Sequence, residues 1–99
     1  MIKREYTPKR TVCKVTFTVP KNWAEESIAI AGDFNNWDTA TDMLEVKKDV
    51  WQIQLRLKPN TSYTFKYFID GERWENDEAA DEYVANNFGT EDSVIHIKS

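Results

Sequence analysis

One stretch of the chain leaves little freedom for its fold. Over residues 51–58 apolar and polar side chains alternate without a break: Trp51, Ile53, Leu55 and Leu57 against Gln52, Gln54, Arg56 and Lys58. Successive side chains of a strand point to opposite faces, so this segment reads as a strand with one face in a core and the other in water. A sheet wetted on one face is antiparallel, because parallel sheets are covered on both. The same period recurs over 11–19, where Cys13, Val15, Phe17 and Val19 share a face and Pro20 closes the run. It recurs over 62–70, with Tyr63, Phe65, Tyr67 and Ile69 on one side and Lys66 and Phe68 on the outward side.

Shorter segments complete the pattern. Residues 27–32 form a strand with Ile28 and Ile30 pointing one way, 43–46 another before the charged turn Lys47-Lys48-Asp49, and 94–98 the last. Asp70-Gly71 is a hairpin signal, since Gly takes positive φ at no steric cost and Asp tolerates it, and a short strand over 73–75 follows. Residues 33–41 are rich in Asn and Asp and read as a loop. The acidic stretch 75–92 is irregular, with a helical turn expected near 79–84. With no longer helical period, the chain is predicted to be all-β, an antiparallel sandwich of about seven strands. Residues 1–10, which carry Lys3, Arg4, Lys9 and Arg10, are expected as a flexible, solvated segment ahead of a single domain over 11–99.

Several functions are disfavoured by charge and composition. The formal net charge of −4 argues against a nucleic-acid partner, whose phosphates call for a basic face. No apolar run approaches bilayer length, so no membrane partner is expected. Cys13 is the only cysteine, so no intramolecular disulfide forms, and its parity makes it a buried core thiol. The basic N-terminal residues lead into no apolar run, so no signal peptide is expected and a reducing, cytoplasmic setting fits. Carboxylate pairs such as Asp33 with Asp38 or Asp77 with Asp81 are what a glycosidase would need, but solvated loop acids account for them. His96 is the only histidine and cannot build a multi-histidine metal site. No phosphate cradle or nucleophile motif occurs, so neither catalysis nor a cofactor is expected.

The strand over 27–32 runs into Ala31-Gly32-Asp33-Phe34-Asn35-Asn36-Trp37. Downstream come Val50-Trp51, Tyr63-Thr64-Phe65-Lys66-Tyr67-Phe68, Ile69-Asp70-Gly71 and Asn87-Phe88-Gly89-Thr90. In order and spacing these blocks, over roughly residues 25–98, resemble the glycogen-binding module of the β subunit of AMP-activated protein kinase. They are similar also to the early-set domains that precede the barrel of branching and debranching enzymes. The resemblance implies an immunoglobulin-like sandwich that binds α-1,4-glucan (glycogen, starch or maltooligosaccharides) on one open face. It implies that Trp37 and Trp74 stack on sugar rings, that Lys66 and Thr90 contact hydroxyls, and that Phe88 takes the place of a leucine inserted into the curve of the glucan. Asp92 stands where the kinase module has a hydrogen-bonding asparagine.

The chemistry suits those residue types. A pyranose has an apolar face of C–H groups, which a flat indole buries, and a rim of hydroxyls that needs donors and acceptors. Phe34 and Trp51 are expected in the core, Asn35 and Asn36 as loop supports, and Trp23 has no assigned role. Two departures from the family pattern stand out. The spacing from Gly71 to Trp74 is one residue longer than in the kinase module, which turns Trp74 to the other face unless the turn absorbs it. Asp92 accepts hydrogen bonds but cannot donate them as an amide does. These departures motivate a second reading, a protein-interaction or regulatory sandwich with a degenerate sugar site, partnered in trans by a glycan-active enzyme or other protein. The two readings differ in whether Trp37 and Trp74 share one exposed face with Lys66.

Overall fold

The computed structural model describes residues 1–98. The strands are β1 (Ile2–Tyr6), β2 (Cys13–Pro20), β3 (Ile28–Gly32), β4 (Glu45–Lys47), β5 (Val50–Leu57), β6 (Thr61–Ile69), β7 (Arg73–Glu75), β8 (Glu82–Ala85) and β9 (Glu91–Ile97). Single 3-10 turns cover Lys21–Trp23 and Asp33–Asn35. One sheet has the order β1-β2-β5-β4; the other runs β3-β6-β9-β8, with β7 also paired to β6. Every pairing is antiparallel, so the molecule is an all-β sandwich.

Register follows parity. Val15 pairs with Leu55 and Phe17 with Ile53 in the first sheet, and Ile30 pairs with Tyr67 in the second. The inward residues Val15, Phe17, Ile28, Ile30, Phe65, Tyr67 and Ile95 are completely buried, and Cys13 with them. Each large apolar side chain so buried stabilises the fold by about 1.5–3 kcal/mol. The Phe17 ring meets Phe65 edge-on at 5.2 Å, joining the two sheets across the core. Trp51 is buried as expected, with its indole N–H donated to the Lys21 carbonyl at 3.2 Å. Trp23 packs edge-on against Tyr67 at 6.3 Å, which gives it a structural place.

Gly32 ends β3 where only a glycine fits. A Cβ there would lie 2.4 Å from the Thr64 carbonyl oxygen and 2.8 Å from the Phe65 Cβ. The missing side chain lets β3 lie close on β6 at the point where the chain leaves for the Trp37 loop.

Two expectations are corrected. The segment 1–10 is not a solvated tail: β1 pairs along β2 from Ile2 opposite Phe17 to Tyr6 opposite Cys13. Ile2 and Tyr6 pack on the core, and Arg4 reaches the Asp81 carboxylate at 2.6 Å. Arg4 sits at an inward position and conceals the alternation, and its pairing with Asp81 is what lets a charge stand there. The helical turn expected near 79–84 is also absent, because Glu82–Ala85 forms the edge strand β8 on β9. Asp77, only 3% exposed, shapes the approach to it. Its carboxylate accepts from Tyr67 Oη at 2.5 Å and from the Ala79 N–H at 2.7 Å, and its carbonyl accepts from Tyr83 Oη at 2.5 Å. Burial, then the neighbouring Asp77 charge, holds the Tyr67 phenol well above its ordinary pKa. With β1 and β8 counted, the strands exceed the seven or so expected.

Candidate functional site

The outward face of β6 presents Thr64, Lys66 and Phe68 at alternate positions. Trp74 lies directly opposite Phe68 in the β6–β7 register and therefore on the same face. The additional residue before Trp74 is absorbed in the turn. Ile69 pairs with Arg73, and between them Asp70 (φ 54°) and Gly71 (φ 68°) take left-handed conformations. Trp74 leans on Phe68 at a centroid distance of 4.7 Å, and Trp37 stands 6.3 Å away with its plane inclined by 58°.

Trp37 reaches that position through a compact loop. The Asn35 side chain accepts from the Gly32 N–H at 3.0 Å and donates to the Ile30 carbonyl and the Asp42 carboxylate, both at 2.9 Å. Asn36 and Trp37 then both turn left-handed, at φ 57° and 59°, and the Trp37 N–H returns to the Gly32 carbonyl at 2.9 Å. Left-handed backbone at a tryptophan costs about 1–3 kcal/mol and persists where its surroundings fix it. Asp33 does so, accepting from Trp37 Nε1 at 3.3 Å through one oxygen and from Thr64 N and Oγ1 at 2.7 and 2.9 Å through the other. Phe34 packs against the core beside Tyr63, as its expected anchoring role requires.

The far wall is the loop between β8 and β9, built around Asn86. Its Oδ1 accepts from the N–H groups of Phe88 and Thr90 at 2.9 and 3.2 Å. Its Nδ2 donates to Thr90 Oγ1 at 2.8 Å and Asp92 Oδ1 at 2.9 Å. Gly89, at φ 80°, turns the loop and leaves Phe88 at its tip, 90% exposed. Lys66 points outward from the sheet, yet its stem is covered and the residue is only 9% exposed. Its ammonium donates to Thr90 Oγ1 at 3.4 Å, leaving further donors for a ligand and the Thr90 hydroxyl proton free to donate.

Trp37, Lys66, Trp74, Phe88, Thr90 and Asp92, each singled out from the sequence, line one open concavity of about 860 Å³. Its walls combine indole and phenyl surface with one ammonium, one carboxylate and the hydroxyls of Thr64 and Thr90. That combination buries a flat apolar face while pairing a polar rim. Sequence reasoning missed Asp33 and Asn86, whose signals were weak: an acid opening a turn, and an Asn-Asn pair before an aromatic and a glycine. It also missed Val84, which lines the concavity from β8. Among the described residues, no helix is long and apolar enough to cross a membrane.

A two-sheet sandwich that displays aromatic platforms beside hydrogen-bonding side chains on one open sheet has the architecture found in carbohydrate-binding modules. Residues 15–99 match the family described as the glycogen recognition site of AMP-activated protein kinase, and the chain belongs to that family. It is 30% identical over 78 residues to the 5'-AMP-activated protein kinase subunit beta-2 of Homo sapiens and of Mus musculus, an alignment covering 77% of this chain and 27% of theirs. It is 31% identical over 86 residues to signal transduction protein MDG1 of Saccharomyces cerevisiae, covering 81% of this chain and 23% of that one. The chain thus spans about a quarter of the length of these relatives.

Proposed function

We propose that the open face of the second sheet binds α-1,4-glucan, in glycogen, starch or maltooligosaccharides, and performs no chemistry on it. The observation that carries this reading is the pairing of Trp37 and Trp74, 6.3 Å apart and inclined by 58°, on one face with Lys66. Successive sugars of an α-linked glucan turn relative to one another, so two inclined platforms suit it better than a flat β-linked chain. Phe88, exposed at the tip of the β8–β9 loop and lining the same concavity, supplies an apolar side chain for the inside of the glucan curve. Lys66 donates to hydroxyls, Thr90 donates through its free proton, and Asp92 accepts through the oxygen that Asn86 leaves open. An open site of this kind binds in the micromolar to millimolar range, about 4–8 kcal/mol.

The non-catalytic reading has its own support. Glycoside hydrolysis uses two carboxyl groups flanking the bond, whereas among the described residues Asp92 is the one acid lining the concavity, and Asn86 holds it. The shared exposed face of Trp37, Trp74 and Lys66 also favours glucan over a degenerate site kept for protein contact. A glycan-active enzyme or another protein acting in trans would engage the remaining surface.

The test is an NMR titration with maltoheptaose, with cellohexaose as the control. Saturable shifts at Trp37, Lys66, Trp74 and Phe88 with the α-glucan alone are expected. The Trp37→Ala variant should weaken binding by about 1–3 kcal/mol while remaining folded. Equal binding by that variant, or silence with both sugars at millimolar concentration, would overturn the assignment.

A further inference from the structure

The open face does not end at the concavity. β6 supplies Thr64 and Lys66 to it, β8 supplies Val84 and β9 supplies Asp92. Continuing the same face toward the start of β6, the next outward residues are Ser62 on β6, Glu82 on β8 and, past Val94, His96 on β9. Thr64, Val94 and Glu82 lie in one cross-strand row, and Ser62 pairs with His96 in the next. Strands advance by about 3.3 Å per residue, so the Ser62 row begins about 7 Å beyond Thr64. Beyond it, His96 also borders a second concavity of about 410 Å³, together with Tyr6, Arg4, Asp81 and Lys98.

These three side chains are joined in sequence. Ser62 Oγ lies 2.6 Å from His96 Nδ1, and His96 Nε2 is hydrogen-bonded to Glu82 Oε2. The set has the composition of a nucleophile, a base and an orienting acid, but acyl chemistry also needs N–H groups aimed at a developing oxyanion. The His96 N–H is committed to Asp81 Oδ2 at 2.7 Å, and Ser62 lies within the paired ladder of β6 and β9. What the cluster offers is recognition. Ser62 and Glu82 are exposed, and Glu82 Oε1 makes no bond among the described residues, so a charged acceptor faces solvent beside a hydroxyl.

We infer that Ser62, His96 and Glu82 form an additional subsite for the hydroxyl rims of sugars that extend past the Trp37–Trp74 platforms along β6. The inference rests on the glucan reading above. Its logic is complementary to that of the concavity: the aromatic end buries sugar faces, whereas this end accepts hydrogen bonds, one of them assisted by a carboxylate charge. The subsite therefore matters only for chains long enough to leave the platforms.

The test compares a short ligand, maltotetraose, with a long linear maltodextrin on the intact protein and on the His96→Ala and Glu82→Gln variants. Glu82→Gln preserves the side-chain shape, and thermal melting checks that both variants fold. The long glucan should lose about three- to tenfold in affinity in each variant, the scale of one hydrogen bond, while maltotetraose binding stays unchanged. In the unsubstituted protein the His96 ring resonances should move with the long glucan and not with the short one. Long-glucan affinities equal to those of the unsubstituted protein, or a His96 ring that stays still while Trp37 shifts, would overturn the subsite and leave the platforms standing. Silence at Trp37 and Trp74 with both ligands would remove the glucan reading itself, and this inference with it.

Discussion

Asp33 spans Trp37 and Thr64: one carboxylate oxygen takes the indole N–H at 3.3 Å, and the other takes both the amide and the hydroxyl of Thr64. The indole N–H is thereby spent on the protein, so Trp37 offers a ligand its face. The same contact holds a ring whose own backbone sits at φ 59°. Asp33→Ala should lower maltoheptaose affinity by about 1–2 kcal/mol through lost preorganisation, with no ligand contact removed. The Trp37 indole N–H resonance should shift in the free variant while that of Trp74 stays in place. An unmoved Trp37 signal with unchanged affinity would mean that the loop backbone alone sets the ring.

Asn86 does the equivalent work on the far wall, with both its amide oxygen and nitrogen engaged. Phe88, almost wholly exposed, has little packing of its own to hold it. Asn86→Ala should therefore mobilise residues 86–90 on the picosecond–nanosecond timescale and reduce glucan affinity by about 1 kcal/mol, with little change in melting temperature. Backbone relaxation and a titration on one sample check both parts. A rigid loop in the variant would show that Gly89 and the strand ends suffice.

Much of this architecture is legible from period-two alternation, which assigns Lys66 and Phe68 to the outward face and Phe65 and Tyr67 to the core. The rest depends on information that a single strand pattern does not carry. The face of Trp74 is decided by two left-handed residues, Asp70 and Gly71, that reset the register inside a turn. β1 hides because Arg4 occupies an inward position and is neutralised by Asp81, which lies 77 residues away in sequence. β8 hides because every one of its residues is exposed, so pairing with β9 and not burial makes it a strand. Asp33 and Asn86 act through bonds to backbone and side chains of folded loops, which spacing alone does not reveal.

Gly32 and Gly71 separate two reasons for glycine. At Gly32 the backbone is extended and the obstacle is space, since a methyl group would meet the Thr64 carbonyl at 2.4 Å. At Gly71 nothing lies within 4 Å of the added Cβ, but φ is 68°. Gly32→Ala should destabilise the fold by about 2–3 kcal/mol or more by forcing β3 away from β6, whereas Gly71→Ala should cost about 1–2 kcal/mol. Urea denaturation of both variants gives the ranking directly. A smaller loss at Gly32 than at Gly71 would mean that β3 shifts at little cost, and Trp37 would then be displaced in the folded variant.

Asp70 ties the turn before Trp74 to the start of β3. Its carboxylate accepts from the N–H groups of Ser27 at 3.0 Å, Glu26 at 2.7 Å and Glu25 at 3.1 Å. These bonds, Ser27's foremost, hold its pKa below the ordinary aspartate value, with Arg73 adding to the effect. Near the unfolded aspartate pKa of about 3.9 the unfolded chain binds more protons at this site than the folded one, so stability rises with pH there. The contribution is complete above that value and is lost as pH falls from it through the lower folded pKa. In Asp70→Asn the side chain keeps one oxygen acceptor but has no charge to titrate. The melting temperature of the unsubstituted protein should therefore exceed that of the variant at about pH 7. The gap should narrow as pH falls below the ordinary aspartate value of about 3.9 and close only once pH has passed the lower folded pKa, while the other acids titrate alike in both. Thermal melts at a series of pH values measure this gap. A gap constant down to acid pH would mean that the three amides are held by the shape of the side chain, with its charge contributing nothing.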